Sequence, residues 1–158
     1  MGFRRTKAKV TAGSVAPDFT LPSQSGEMVS LEDFLGKPVV LFFYPKDNTL
    51  GCTKEVCAFR DSFEELGKLD AEVIGVSSDS VESHRGFAEK HKLPFTLLSD
   101  EGGKVRRLYG VPSTFGLFPG RVTYVIDEEG VVKNVFSSQL EVEKHVAEAL
   151  KTLASMST

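Results

Sequence analysis

Cys52 and Cys57, five residues apart, carry the most distinctive chemistry in this 158-residue chain. A thiolate is a nucleophile and can be oxidised reversibly, so the two are either a redox pair or small buried packing residues. The order around them is Pro45-Lys46-Asp47-Asn48-Thr49-Leu50-Gly51-Cys52-Thr53-Lys54-Glu55-Val56-Cys57. Cys52 follows an apolar run and a polar loop, and it opens a helical pattern. There its sulfur meets unpaired backbone N–H groups and the positive end of the helix dipole, and both favour negative charge. Lys46 and Lys54 add mobile positive charge nearby. Cys57 lies further along the same helix, rotated by about 140° and displaced by about 7.5 Å. In an intact helix the two Cα atoms are then roughly 8.7 Å apart, beyond the ~4.4–6.8 Å that a disulfide needs. If the two sulfurs pair, at least the first helical turn must unwind.

The other polar candidates are weaker. His84 and His91 are seven apart on one helical pattern, two turns along the same face, and read as a solvated face. Asp100 and Glu101 sit in Ser99-Asp100-Glu101-Gly102-Gly103, which reads as a loop and helix N-cap. Gly102-Gly103 does not match a phosphate-binding loop.

The elements that must position the cysteines follow from the hydrophobic pattern. Pro38 to Tyr44 is a continuous apolar run of strand length, as in a strand covered on both faces. Cys52 to Leu69 reads as one helix with Val56, Phe59, Phe63 and Leu66 as its core stripe. Ala71 to Ser77 is a second strand, Ser80 to Lys92 a polar helix, and Phe95 to Leu98 a third strand. Lys104 to Tyr109 is a short helix with Gly110 at its C-cap. Val122 to Asp127 and Val131 to Phe136 flank a Glu128-Glu129-Gly130 turn, and Glu141 to Leu153 closes the chain as an amphipathic helix. Upstream, Pro17 to Leu21 reads as an edge strand, and Leu31 to Phe34 as one helical turn ended by Gly36. This order predicts an α/β fold, a mixed central sheet with helices on both faces.

Composition bounds the rest. A hydrophobic fraction of 41% and a charged fraction of 26% fit one globular domain over residues 1–158. No run of 18 apolar residues is present, so no membrane span is expected. A net charge of −3 gives no basic face for nucleic acid. Two cysteines are too few for a disulfide scaffold or an all-thiolate zinc site, and all three histidines lie downstream of them. Neither a metal nor a cofactor is expected. Residues 1–10 hold Arg4, Arg5, Lys7 and Lys9 and no acid, leaving 15 Lys and Arg against 22 acids elsewhere. Residues 1–8 read as a flexible basic arm, with the remnant of a cleaved, Arg-rich transit segment as the alternative.

Pro45, Thr49 and Cys52 keep the Pro-x3-Thr-x2-Cys spacing of the peroxiredoxin active site, and the whole stretch FYPKDNTLGCTKEVCAFRD resembles that family. The resemblance is to the subgroup called peroxiredoxin Q or bacterioferritin comigratory protein. It continues through APDFTL, GKPVVLFFYP, AEVIGVSSDS, HKLPFTLLSDEGGKVRRLYGVP and PGRVTYVIDEEG to EKHVAEALKTL, over roughly residues 8 to 153. It implies a thioredoxin-like fold and a thiol peroxidase for hydrogen peroxide and alkyl hydroperoxides. In that reading Cys52 is the peroxidatic cysteine, and Thr49 orients the peroxide and contacts the thiolate. Pro45 shields the site, and Arg121 in Pro119-Gly120-Arg121-Val122-Thr123 lies beside Cys52 in space. Cys57 is the resolving cysteine, the disulfide is intramolecular, and thioredoxin or a similar dithiol reduces it. The resemblance also implies a monomer in a bacterial or cyanobacterial cytoplasm, or in a chloroplast after removal of a transit peptide. Leu50 stands where the subgroup often has proline; proline would stiffen the approach to Cys52, whereas leucine is expected to loosen the loop or cover the site with apolar surface. Phe42, Phe43, Phe115 and Phe118 are candidates for an apolar rim that admits alkyl hydroperoxides. The alternative is a general thiol-disulfide oxidoreductase of thioredoxin type, against which the five-residue offset argues, since such enzymes usually carry CxxC.

Overall fold

The computed structural model describes residues 10–114 and 118–156, and the basic arm at residues 1–8 lies outside them. In chain order come β1 (Thr20–Pro22), β2 (Met28–Ser30), a 3-10 turn (Leu31–Phe34), β3 (Val39–Phe43), α1 (Leu50–Asp61), α2 (Phe63–Lys68) and β4 (Glu72–Ser77). There follow α3 (Val81–His91), β5 (Thr96–Ser99), α4 (Lys104–Tyr109), β6 (Ser113–Thr114), β7 (Phe118–Pro119), β8 (Val122–Ile126), β9 (Val132–Ser137) and α5 (Val142–Met156). Five strands form one sheet in the order β5-β4-β3-β8-β9. β3 pairs in parallel with β4 and β4 with β5, whereas β8 is antiparallel to both β3 and β9. The sheet is therefore mixed, as the element order predicts. β1–β2 and β6–β7 are separate antiparallel pairs.

β3 lies at the centre because every one of its residues is apolar and buried. Its side chains alternate between two cores. Val39, Leu41 and Phe43 pack with Phe19, Leu31 and the α4 residues Val105 and Tyr109. Val40 and Phe42 face Val56 and Phe59 of α1, Phe87 of α3 and Ala149 of α5. Phe42 stacks on Phe59 with ring centroids 4.4 Å apart. Its neighbour across β4 is Gly75, where a Cβ would lie 2.7 Å from Phe42 Cζ, so only glycine admits the ring. Burying this many methylene and aromatic groups is what holds α1 on the sheet, at roughly 25 cal/mol per Å². Because α1 follows directly on β3, its N-terminus is fixed at the carboxyl end of the central strand, where α/β sheets commonly hold their sites.

Three expectations change. The single helix expected from Cys52 to Leu69 begins two residues earlier, at Leu50, and breaks at Ser62, whose backbone (φ −101°, ψ 7°) caps α1 and opens α2. The apolar stripe runs through the break, so hydrophobic pattern could not reveal it. Phe42 and Phe43 form no rim: at 0% and 1% exposure they fill the two cores on opposite faces of β3. Phe115 lies outside the described residues, and Phe118 is described only as backbone of β7. Leu50 does not cover the site: it is 89% exposed. No helix among the described residues is long and apolar enough to cross a membrane.

Candidate active site

The loop between β3 and α1 carries Pro45 half-buried, Asn48 in a left-handed conformation (φ 64°) and Thr49 as N-cap of α1. Asparagine tolerates this conformation better than most residues, because its short side chain bonds locally. The Thr49 hydroxyl donates to the Lys46 carbonyl at 2.9 Å. Cys52 is the third residue of α1, within the turn whose N–H groups have no helical partner. It is 1% exposed.

Arg121 arrives from the start of β8. β8 pairs with β3, Phe43 against Val122, and this register brings Arg121 to the first turn of α1 across 69 residues of sequence. Its Nη1 donates to Cys52 Sγ at 3.4 Å and to Glu55 Oε1 at 2.7 Å, and its Nε donates to the Gln139 carbonyl at 3.2 Å. Gly51 makes room for it, since a Cβ there would lie 3.1 Å from Arg121 Nη2. Glu55, fully buried, is a site residue that sequence reasoning missed. The signal was present: Cys52, Glu55, Val56 and Phe59 fall on one helical face, extending the apolar stripe with an acid. Glu55 Oε2 has no hydrogen-bond partner and lies 3.7 Å from His145 Nδ1. Burial pushes the Glu55 carboxyl up to about 7, outweighing the opposing pull of Arg121. Burial likewise holds His145 down to about 4, where its Nδ1 pairs with Thr123 Oγ1 at 2.7 Å and its Nε2 donates to the Ser138 carbonyl. A neutral His145 offers no positive charge to Oε2, and this is where a proton on Glu55 would sit.

Cys57 faces away from this cluster. Its Sγ lies 3.8 Å from His91 Nδ1 at the end of α3. Cys52 and Arg121 therefore meet at the first turn of α1, with Thr49 at its N-cap and bonded to the Lys46 carbonyl, while Cys57 is held against another helix.

A second polar network ties the Pro45–Thr49 loop down. Asp47 is buried: Oδ1 accepts from the Tyr44 hydroxyl at 2.6 Å, and Oδ2 accepts from Ser83 Oγ at 2.8 Å and lies 2.7 Å from His84 Nδ1. The Asp47 N–H donates to Asp79 Oδ2 at 2.8 Å, and His84 Nε2 donates to the Leu98 carbonyl at 2.9 Å. His84 is thus 0% exposed, not on a solvated face, because the carboxylate and the carbonyl satisfy both ring nitrogens. Burial, followed by the charge of Asp47, raises the Tyr44 phenol well above its ordinary range. Asp47, Asp79 and His84 have the chemistry and the proximity of a metal site. The Asp47 oxygens, the His84 nitrogens and Asp79 Oδ2 all already have protein partners. Asp100 caps α4, its carboxylate accepting from the N–H groups of Val105 and Arg106.

The AhpC/TSA family model matches residues 12–135, more than half of the chain, including Pro45, Thr49, Cys52, Glu55, Cys57 and Arg121. The chain belongs to the AhpC/TSA family. Among relatives, a chloroplastic peroxiredoxin Q of Sedum lineare is 61% identical over 150 residues, covering 94% of this chain and 81% of that protein. A chloroplastic peroxiredoxin Q of Triticum aestivum is 58% identical over 149 residues, covering 94% and 69%. Among solved structures, peroxidoxin BcpB of Mycobacterium tuberculosis superposes with a TM-score of 0.87 at 39% identity, covering 93% of this chain and 98% of that one. The bacterioferritin comigratory protein of Xanthomonas campestris, described for its alkyl peroxide reduction activity, gives 0.83 at 29% identity over 94% and 98%. This member of the AhpC/TSA family is thus a thiol-dependent peroxidase of the peroxiredoxin type with a thioredoxin-like α/β fold.

Proposed function

We propose that Cys52 is the peroxidatic nucleophile of this enzyme and Cys57 its resolving thiol. What carries this reading is the 3.4 Å approach of Arg121 Nη1 to Cys52 Sγ at the first turn of α1. The guanidinium keeps its charge at any working pH and presents several donors. It stabilises the thiolate and the charge that develops on the leaving oxygen of a peroxide. Thr49 positions the peroxide by its hydroxyl, and Pro45 shields the loop from water.

The Cys52 thiolate attacks one peroxide oxygen. An S–O bond forms and the O–O bond breaks, giving a sulfenic acid and water or an alcohol. The first turn of α1 then unwinds, because an intact helix holds the two Cα atoms roughly 8.7 Å apart. Cys57 displaces hydroxide from the sulfenyl sulfur, giving an intramolecular disulfide and water. An external dithiol, thioredoxin or a protein of its kind, reduces that disulfide by exchange. Hydrogen peroxide and alkyl hydroperoxides are the substrates. Both thiols of the cycle lie on one helix, so one chain completes it and a monomer suffices. The chloroplastic relatives and the acid-free basic stretch at residues 1–10 favour a chloroplast over a bacterial cytoplasm.

The test is peroxide consumption by the two serine variants. Cys52→Ser abolishes it. Cys57→Ser completes one stoichiometric turnover and is not recycled by thioredoxin. Full activity of Cys52→Ser would sink the scheme, and normal recycling of Cys57→Ser would remove the resolving role. A general thiol-disulfide oxidoreductase would instead reduce insulin disulfides, which the helix-separated pair is not expected to do.

A further inference from the structure

The contact between Cys57 and α3 has a consequence for the second half of the cycle. Cys57 Sγ lies 3.8 Å from His91 Nδ1, half-buried at the junction of two helices. The same junction is locked by the Arg60 guanidinium, whose Nη1 donates to the His91 carbonyl at 2.8 Å. The His91 ring packs edge-on against Phe87, centroids 5.0 Å apart, so its orientation is held from its own helix too. The charged groups around the ring are cations: Lys90 on α3 and Arg60 on α1, the latter paired with Asp61 at 3.0 Å.

We propose that His91 is the general base for the resolving thiol, and that the second half of α1 stays docked on α3 while Cys52 travels to Cys57. The proposal rests on Cys57 being the resolving cysteine. His91 Nδ1 takes the proton from Cys57 Sγ, and the resulting thiolate attacks the sulfenyl sulfur of Cys52. The S–S bond forms and the S–O bond breaks. The departing hydroxide takes up one proton, returned by the imidazolium, and leaves as water. Cys57 is oxidised and the sulfenyl sulfur of Cys52 is reduced. Desolvation, with the charges of Lys90 and Arg60, lowers the His91 imidazole below its ordinary range, so the ring is neutral at neutral pH, and in its Nε2–H tautomer Nδ1 offers a lone pair to the thiol. The anchoring is a matter of topology. Unwinding from Leu50 frees Cys52 from the N-terminal turn, whereas Arg60 and Cys57 remain tied to α3 through His91.

The experiment uses Cys52→Ser protein, in which Cys57 is the one remaining thiol of the chain. Iodoacetamide alkylation of Cys57 is followed by mass spectrometry from pH 5.5 to 9. His91→Gln is expected to slow the reaction at pH 7 by about tenfold, less than the ~10²-fold of a well-aligned base because the contact is long. Added imidazole should restore part of the rate in His91→Gly, which a merely structural role would not allow. With both cysteines present, one equivalent of hydrogen peroxide followed by quenched sampling should show slower conversion of sulfenic acid to disulfide in His91→Gln. Superimposable alkylation profiles with and without His91, or no rescue by imidazole, would overturn the proposal. Normal recycling of Cys57→Ser by thioredoxin would instead overturn the resolving assignment, whatever the alkylation shows.

Discussion

Replacing Glu55 by glutamine removes a titratable carboxyl from the most buried part of the site while keeping the side chain's shape. Glu55 is 0% exposed, its Oε1 accepts from Arg121 at 2.7 Å, and its Oε2 has no partner. Burial raises its carboxyl from an ordinary 4.5 to about 7. A proton held about 2.5 pH units more tightly in the folded than in the unfolded chain is worth about 3 kcal/mol. This stabilisation is fully present below pH 4.5 and is lost as pH rises through about 7. The parent protein should therefore lose about 3 kcal/mol relative to Glu55→Gln between pH 4.5 and 8. His145 acts oppositely: held down to about 4, it costs stability as pH falls from 6.5 through 4. Above about pH 6.5 His145 is neutral in both proteins and drops out of the difference; below that its contact with Glu55 Oε2, 3.7 Å away, couples the two groups, so the comparison is read on the alkaline side. The assay is urea unfolding at several pH values under reducing conditions, followed by far-UV ellipticity because the chain has no tryptophan. A stability difference that stays flat with pH would refute the reasoning. It would mean that Arg121 keeps Glu55 ionised throughout and that attraction, not burial, decides its state.

Arg121→Met removes the donor 3.4 Å from Cys52 Sγ and should slow oxidation of Cys52 by about 10²-fold, read by stopped-flow competition for hydrogen peroxide. An unchanged rate would exclude Arg121 from the chemistry. Asp47→Asn breaks a buried network that ties the Pro45–Thr49 loop to α3, and should cost about 1–3 kcal/mol in urea unfolding. Stability and peroxide reaction rate both equal to the parent would show that the loop does not depend on it.

The polar network around Asp47 and His84 marks where sequence reasoning stops. His84 sits in a stretch rich in Ser, Glu, Arg and Lys, so local pattern places it toward water. What buries it is Asp47 from the β3–α1 loop and the Leu98 carbonyl from β5, partners 37 and 14 residues away. Glu55 is similar. Its face is legible from helical spacing, but an acid on an apolar face makes sense only once Arg121 arrives from β8. By contrast, the Lys104–Tyr109 helix with its Gly110 cap matches α4 residue for residue, because cap and periodicity are local properties.

The sequence by itself determined the α/β order, the buried central strand, the start of a helix close to Cys52 and the separation of two thiols on that helix. These depend on spacing of apolar residues, backbone geometry and turn chemistry, all of which act over a few residues. Only the tertiary structure decided which side chains surround each thiol. Pairing of β8 with β3 delivers Arg121 to Cys52, and packing of α3 against α1 delivers His91 to Cys57. Both contacts are set by sheet register and helix docking, which arise from burial summed over the whole chain rather than from any motif.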